Sequence, residues 1–182
     1  MNGRTAALAA AAALGLAAAG ARAGLPGAPP TAAEVLASWP QASLTLARVA
    51  LQKYGLPDEA LPERLVWRGR RPWRRIVVFR DPAAEDRPAL LLESVAYQVP
   101  VRRWRELAAF DRGVSFDVVR GELAARTSNE ASNVLALNLA DAVARGRLRG
   151  AQAAVLFDRT LGLAPGALPA RWTRRLLFRP GR

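Results

Sequence analysis

Nine consecutive residues, Trp67-Arg68-Gly69-Arg70-Arg71-Pro72-Trp73-Arg74-Arg75, hold five arginines and two tryptophans. Guanidinium forks take phosphate or carboxylate oxygens in pairs. Indole rings stack on bases or sugars, or rest at a lipid headgroup boundary. Trp67, Arg68, Arg70, Arg71, Trp73, Arg74 and Arg75 are therefore the first candidate binding surface. A second reading stays open: a hairpin turn with solvated arginines and both tryptophans folded inward. The same chemistry recurs at Arg102, Arg103 and Arg105 around Trp104, and at Arg171, Arg174, Arg175, Arg179 and Arg182 around Trp172. Linear order does not say whether these clusters meet on one face.

Two polar residues interrupt apolar faces. At 100° per residue, Asn138 falls among Val134, Leu135 and Ala142, so its amide either bonds nearby backbone or lines a pocket. On the same helix Asn133 lies opposite and is expected to be exposed. In Leu91-Glu93-Val95-Tyr97-Val99, Glu93 shares a strand face with large apolar groups. A carboxyl buried there has a raised pKa and suits general acid chemistry; alternatively it pairs with Arg75 or Arg80 on the adjacent strand. A glycan-cleaving pair would draw on Glu93, Asp117, Glu122 and Glu130, yet no signature singles out two of them. Asp81, Glu85 and Asp86 lack the spacing and glycine of a calcium loop, so no metal site and no cofactor is expected.

Composition removes whole classes of chemistry. The 182 residues include no histidine and no cysteine. Histidine- and cysteine-based nucleophilic sites, the usual zinc sites and histidine-ligated haem go with them. Lys53 is the only lysine, so any amine chemistry must use it. The net charge of +12 is nearly all arginine and favours anionic partners.

Those side chains have to be placed by a core. Thr31 and Glu34 form a capping box for a short helix that Pro40 stops, and Ser43 to Tyr54 forms the next, with Leu46, Val49, Ala50 and Tyr54 on one face. Leu65 to Trp67, Trp73 to Arg80 and Leu90 to Val99 read as an antiparallel meander, with an acidic turn from Asp81 to Pro88. A helix through Phe110 starts at Pro100, with Val101, Trp104, Leu107 and Ala108 as its stripe. The alternation of Val114, Phe116 and Val118 makes a strand that turns at Arg120-Gly121 into a partner ending at Arg126. Thr127 and Glu130 box the start of the strongest helix, Asn129 to Ala144; another runs from Gly150 to Leu161. Strands in runs flanked by helices imply an α+β fold, an antiparallel sheet of meander plus hairpin covered by helices, in one domain spanning 31–179.

Residues 1–23 read as an export signal. Arg4 supplies charge, Thr5 to Ala19 an apolar run, and Ala21-Arg22-Ala23 a small-x-small cleavage site, with a flexible Gly/Pro linker over 24–30. Cleavage near Ala23 would leave a periplasmic or secreted protein with no transmembrane segment and no cysteine to carry a lipid anchor.

Two segments carry a resemblance. Tyr54-Gly55-Leu56-Pro57-Asp58 leading to Leu65-Val66-Trp67 and Pro72-Trp73-Arg74-Arg75-Ile76-Val77-Val78-Phe79-Arg80 is one; Glu130 to Ala140 is the other. Together they resemble a family of uncharacterised exported bacterial proteins, which implies export and a single compact domain but no activity. A looser likeness runs to small outer-membrane assembly lipoproteins, whose lipid-bearing cysteine is missing here.

The expectation is a non-catalytic binding module for an anionic envelope component: a lipid, a glycan or a cell-wall polymer. Export places lipid phosphates, acidic glycans and cell-wall carboxylates nearer than nucleic acid, which is not the partner expected. The alternatives are a carboxylate-dependent glycan hydrolase and a protein-interaction subunit of an envelope assembly.

Overall fold

The computed structural model describes residues 30–82, 89–162 and 164–181. The expected leader, most of the linker, Glu85, Asp86 and Arg182 lie outside the described residues. Thr31 caps α1 (Ala32–Leu36), and its capping box with Glu34 is formed. Next comes α2 (Gln41–Tyr54), which starts earlier than expected, directly after Pro40. It buries Ser43, Ala47 and Ala50, while Val49 turns to solvent; small residues let the helix backbone lie close to the sheet.

The strands are β1 (Glu59–Leu61), β2 (Arg64–Arg68), β3 (Arg75–Phe79), β4 (Leu91–Ala96), β5 (Val114–Asp117) and β6 (Glu122–Thr127). They form one antiparallel sheet in the order β1-β2-β3-β4-β6-β5. The meander and the hairpin are both present, and the hairpin joins the meander through β6 against β4. β1 is an addition that the Pro57 turn concealed.

Between β4 and β5, Val101–Arg103 forms a 3-10 turn before α3 (Trp104–Phe110). The expected stripe is thus corrected: Val101 and Ala108 are exposed, and Leu107 with Phe110 enters the core. Then come α4 (Glu130–Ala144), α5 (Gly150–Leu161) and α6 (Arg171–Arg174). The start of α4 also differs from expectation. Asn129 is its cap, accepting from Ser132 N at 3.0 Å. Thr127 instead donates to Asn129 O and to Asn133 Oδ1, and Glu130 pairs with Lys53.

Directly paired residues share a sheet face. One face, with Leu65, Trp67, Ile76, Val78, Leu91, Val95, Leu123 and Ala125, joins the main core with the helices. The other carries Val66, Val77 and Ala124, with the Arg75–Glu122 pair and Arg126 stacked over Phe79 at 3.6 Å. α4 packs against the sheet, α3, α5 and α6 at once, and Ser132 through Ala144 are all buried. A helix enclosed on every side has no solvent face. Asn133 is therefore buried, which corrects its expected exposure.

Both tryptophans of the basic segment lie inside. Trp67 is fully buried and donates from Nε1 to Gly55 O at 2.9 Å; Trp73 is buried and donates to the Tyr54 hydroxyl at 3.2 Å. A buried indole needs that partner for its N–H. Trp67→Ala would empty the middle of the core. It should lower unfolding stability by about 3–5 kcal/mol, read as a shifted urea midpoint with the m-value kept.

Candidate functional site

An open cleft of ≈ 470 Å³ lies at one end of the sheet, lined by Arg74, Arg120, Arg145 and Arg179 with Tyr97 and Gln98. Four separate segments deliver the arginines. Arg74 precedes β3, and its backbone N–H donates to Ser94 O at 2.8 Å. Its Nη1 donates to Arg120 O at 2.7 Å, which aims the guanidinium at the β5–β6 turn. Asp117 shapes that turn, with Oδ1 accepting from Val119 N at 3.0 Å and Arg120 N at 2.9 Å. Gly121 completes it at φ 60, where a Cβ would collide with the Gln98 side chain.

Arg145 comes from the end of α4. Asp141, one turn earlier and buried, accepts from Arg145 Nε and Arg147 Nη2, both at 2.7 Å, and from the Tyr97 hydroxyl at 2.9 Å. Burial, then the bond to Asp141, pushes the Tyr97 hydroxyl up to about 12, so it stays a donor. Hydrogen bonding and attraction from Asp141 hold Arg145 cationic.

Arg179 arrives on the C-terminal strap that follows α6. Asn138 clamps that strap. Its Nδ2 donates to Trp172 O and Arg175 O, both at 2.9 Å, and its Oδ1 accepts from Leu177 N at 2.7 Å. Phe178 meets the Tyr97 ring edge-on at 5.4 Å, and Gly181 N donates to Ala96 O at 2.8 Å. Of its two expected alternatives Asn138 takes the backbone one, yet the backbone it holds carries one wall of the cleft.

The nine-residue segment does not act as one surface, and its seven-residue candidate set is corrected accordingly. Trp67 and Trp73 are in the core and cannot stack on a ligand. Arg68 pairs with Glu59, and Arg70 with Asp58 at 3.1 Å. Arg75 pairs with Glu122 at 3.0 Å on the outer sheet face. Arg71 is exposed away from the cleft lining, and Arg74 alone of the seven lines the cleft. Arg120, Arg145, Tyr97 and Gln98 were not singled out in the sequence. Only the Asp117-x-x-Arg120-Gly121 turn pattern hints at one of them.

Glu93 is buried on the core face between Ile76 and Ala125. Its expected pairing with Arg75 or Arg80 is corrected: Arg75 projects from the opposite face, and Arg80 lies four residues past Ile76, the residue across from Glu93. Its partner is Asn133, whose Nδ2 donates to Glu93 Oε2 at 3.1 Å and to Leu91 O at 3.1 Å. Burial first, then repulsion from Glu130, pushes the Glu93 carboxyl up to about 8, against the Asn133 bond and the Lys53 charge. Of the four carboxylates considered for glycan cleavage, Glu93 and Glu122 fall on opposite sheet faces, and none of the four lines the cleft. Among the described residues no three metal-ligating side chains gather.

Searches of protein-family models, curated proteins and solved structures find no match to this chain.

Asn138→Asp keeps the side chain's shape and removes both donors to the strap. It should cost about 1–3 kcal/mol of stability and open the Arg174–Arg175 region to trypsin, read by limited proteolysis under native conditions. The unfolded chain releases the Glu93 proton near 4.5, the folded one near 8. Between those values the folded state holds a proton that the unfolded state has lost. Stability from this group is therefore full below about 4.5, falls as pH rises, and levels off above about 8. Glu93→Gln should flatten that decline in urea titrations across the interval.

Proposed function

We propose that this protein is an exported, non-catalytic binding module that holds a phosphate- or carboxylate-bearing envelope component in the arginine cleft. The convergence of Arg74, Arg120, Arg145 and Arg179 carries the reading. Like charges gathered from four segments repel one another, so an anion seated among them gains from every one. Among the described residues, no carboxylate lies within ion-pair distance of Arg74 or Arg179, and Asp117 reaches Arg120 only at 3.8 Å. Among the described residues Asp141 is the carboxylate most closely engaged with the cleft, and it is shared between Arg145 and Arg147. Guanidinium N–H groups at the rim, with the Gln98 amide, suit tetrahedral or planar oxyanions. The export reading rests on the charge, apolar run and small-residue site of residues 1–23.

Pyrophosphate is a suitable probe. Calorimetric titration at low salt should show binding that weakens steeply toward about 0.5 M salt. The combined variant Arg74→Gln, Arg120→Gln and Arg179→Gln should weaken it at least about tenfold with an unchanged circular dichroism spectrum. Equal affinity in the variant, or no binding by the parent protein at low salt, overturns the reading.

A further inference from the structure

At the end of the sheet that holds the cleft, three apolar side chains are exposed. Val119 is 93% exposed, Val101 72% and Val118 40%. All three belong to the same end of the sheet. Val118 and Val119 form the tip of the β5–β6 turn, next to Arg120. Val101 follows β4 beyond that end, where Tyr97 N donates to Gly121 O. Single exposed valines are ordinary; three at one end, beside four converging arginines, are a combined apolar and cationic surface.

Deepening the anion-binding function proposed above, and resting on it, we propose that this end of the molecule docks on an anionic phospholipid bilayer. Val119 and Val118 enter the headgroup–acyl boundary while the cleft arginines take lipid phosphates. The two halves need each other. A pair of valines is too little apolar surface to hold a protein on a membrane, and a basic patch alone is readily screened by salt. Together they supply the two signals that stable peripheral attachment requires. A soluble glycan or wall polymer offers the arginines charge but offers the valines no apolar phase. That difference selects a lipid surface over the other anionic partners. The turn is also built to hold its tip out: Asp117 fixes the Val119 and Arg120 amides, so Val119 stays presented without a ligand.

The absence of cysteine makes the test direct. Val119→Cys labelled with an environment-sensitive fluorophore reports on the tip. Val155→Cys, on α5, is the control: α5 carries Asp158, which pairs with Arg112 just before β5, at the far end of the sheet. The probe is large unilamellar vesicles of phosphatidylcholine with about one-third phosphatidylglycerol, against pure phosphatidylcholine. The expected result is a blue-shifted emission for the Val119 label on anionic vesicles only, with the Val155 label unmoved. In sedimentation, unlabelled Val118→Ser/Val119→Ser should lose about tenfold in vesicle partitioning and keep its pyrophosphate affinity. Vesicle binding that ignores the valine variant, or pyrophosphate binding without vesicle binding, overturns the docking proposal and leaves the cleft reading standing. Binding to a sulfated polysaccharide in place of vesicles does the same. Loss of pyrophosphate binding in the parent protein removes both.

Discussion

The enclosure of α4 on every side governs this structure. From Asn133 onward its polar side chains are cut off from bulk water, so each must pair with protein groups. They do so in three directions. Asn133 reaches the sheet at Leu91 O and Glu93, Asn138 the C-terminal strap, and Asp141 the Tyr97 hydroxyl with two arginines. Satisfying those three side chains ties sheet, strap and cleft to one helix. The cleft is thus a consequence of how the core closes: Tyr97 and Arg145 are oriented by a carboxylate that burial obliges to be paired.

Arginine plays two distinct parts in the molecule. On the outer sheet face and around the β1–β2 region it is structural. Arg68, Arg70 and Arg75 answer Glu59, Asp58 and Glu122, and Arg126 lies across Phe79. Exposed pairs of this kind add little stability each, but they occupy guanidinium groups that would otherwise be open to ligand. At the cleft the balance reverses, and cations outnumber the nearby carboxylates. The cleft is where arginines from four separate segments meet, and two of them, Arg74 and Arg179, make no ion pair among the described residues. Glu93 belongs to neither part. Buried against Asn133, it is a carboxyl held neutral by its surroundings, and its role is in the energetics of the core.

Much of the architecture was legible in linear order because period and punctuation carry it. The alternation of Ile76 and Val78 against Val77 and Phe79, the turn at Gly121, and the caps at Thr31 and Gly55 all act over a few residues. The errors arose where tertiary contact decides. Helical spacing sets Asn133 opposite the apolar face and so predicts exposure, but neighbouring elements cover that side of α4 as well. Val101 was assigned to a helical stripe that a 3-10 turn removes. Of the two readings of Glu93, pairing with Arg75 or Arg80 fails because the register sends Arg75 to the opposite face, while the buried carboxyl with a raised pKa is what the core holds.

Residue types settled that this chain is a cysteine- and histidine-free arginine protein, and short-range periodicity with the order of its elements settled that the fold is α+β. Which arginines act together was decided only by the packed chain. Arg74, Arg120, Arg145 and Arg179 are 25 or more residues apart in sequence, while Arg68, Arg70 and Arg75, almost adjacent to Arg74, end up elsewhere. Neighbours along a strand point to opposite faces, and distant segments meet where the sheet ends and the strap returns. Proximity in sequence is therefore a poor guide to a shared site, and the closing of the core around α4 is what brings this one together.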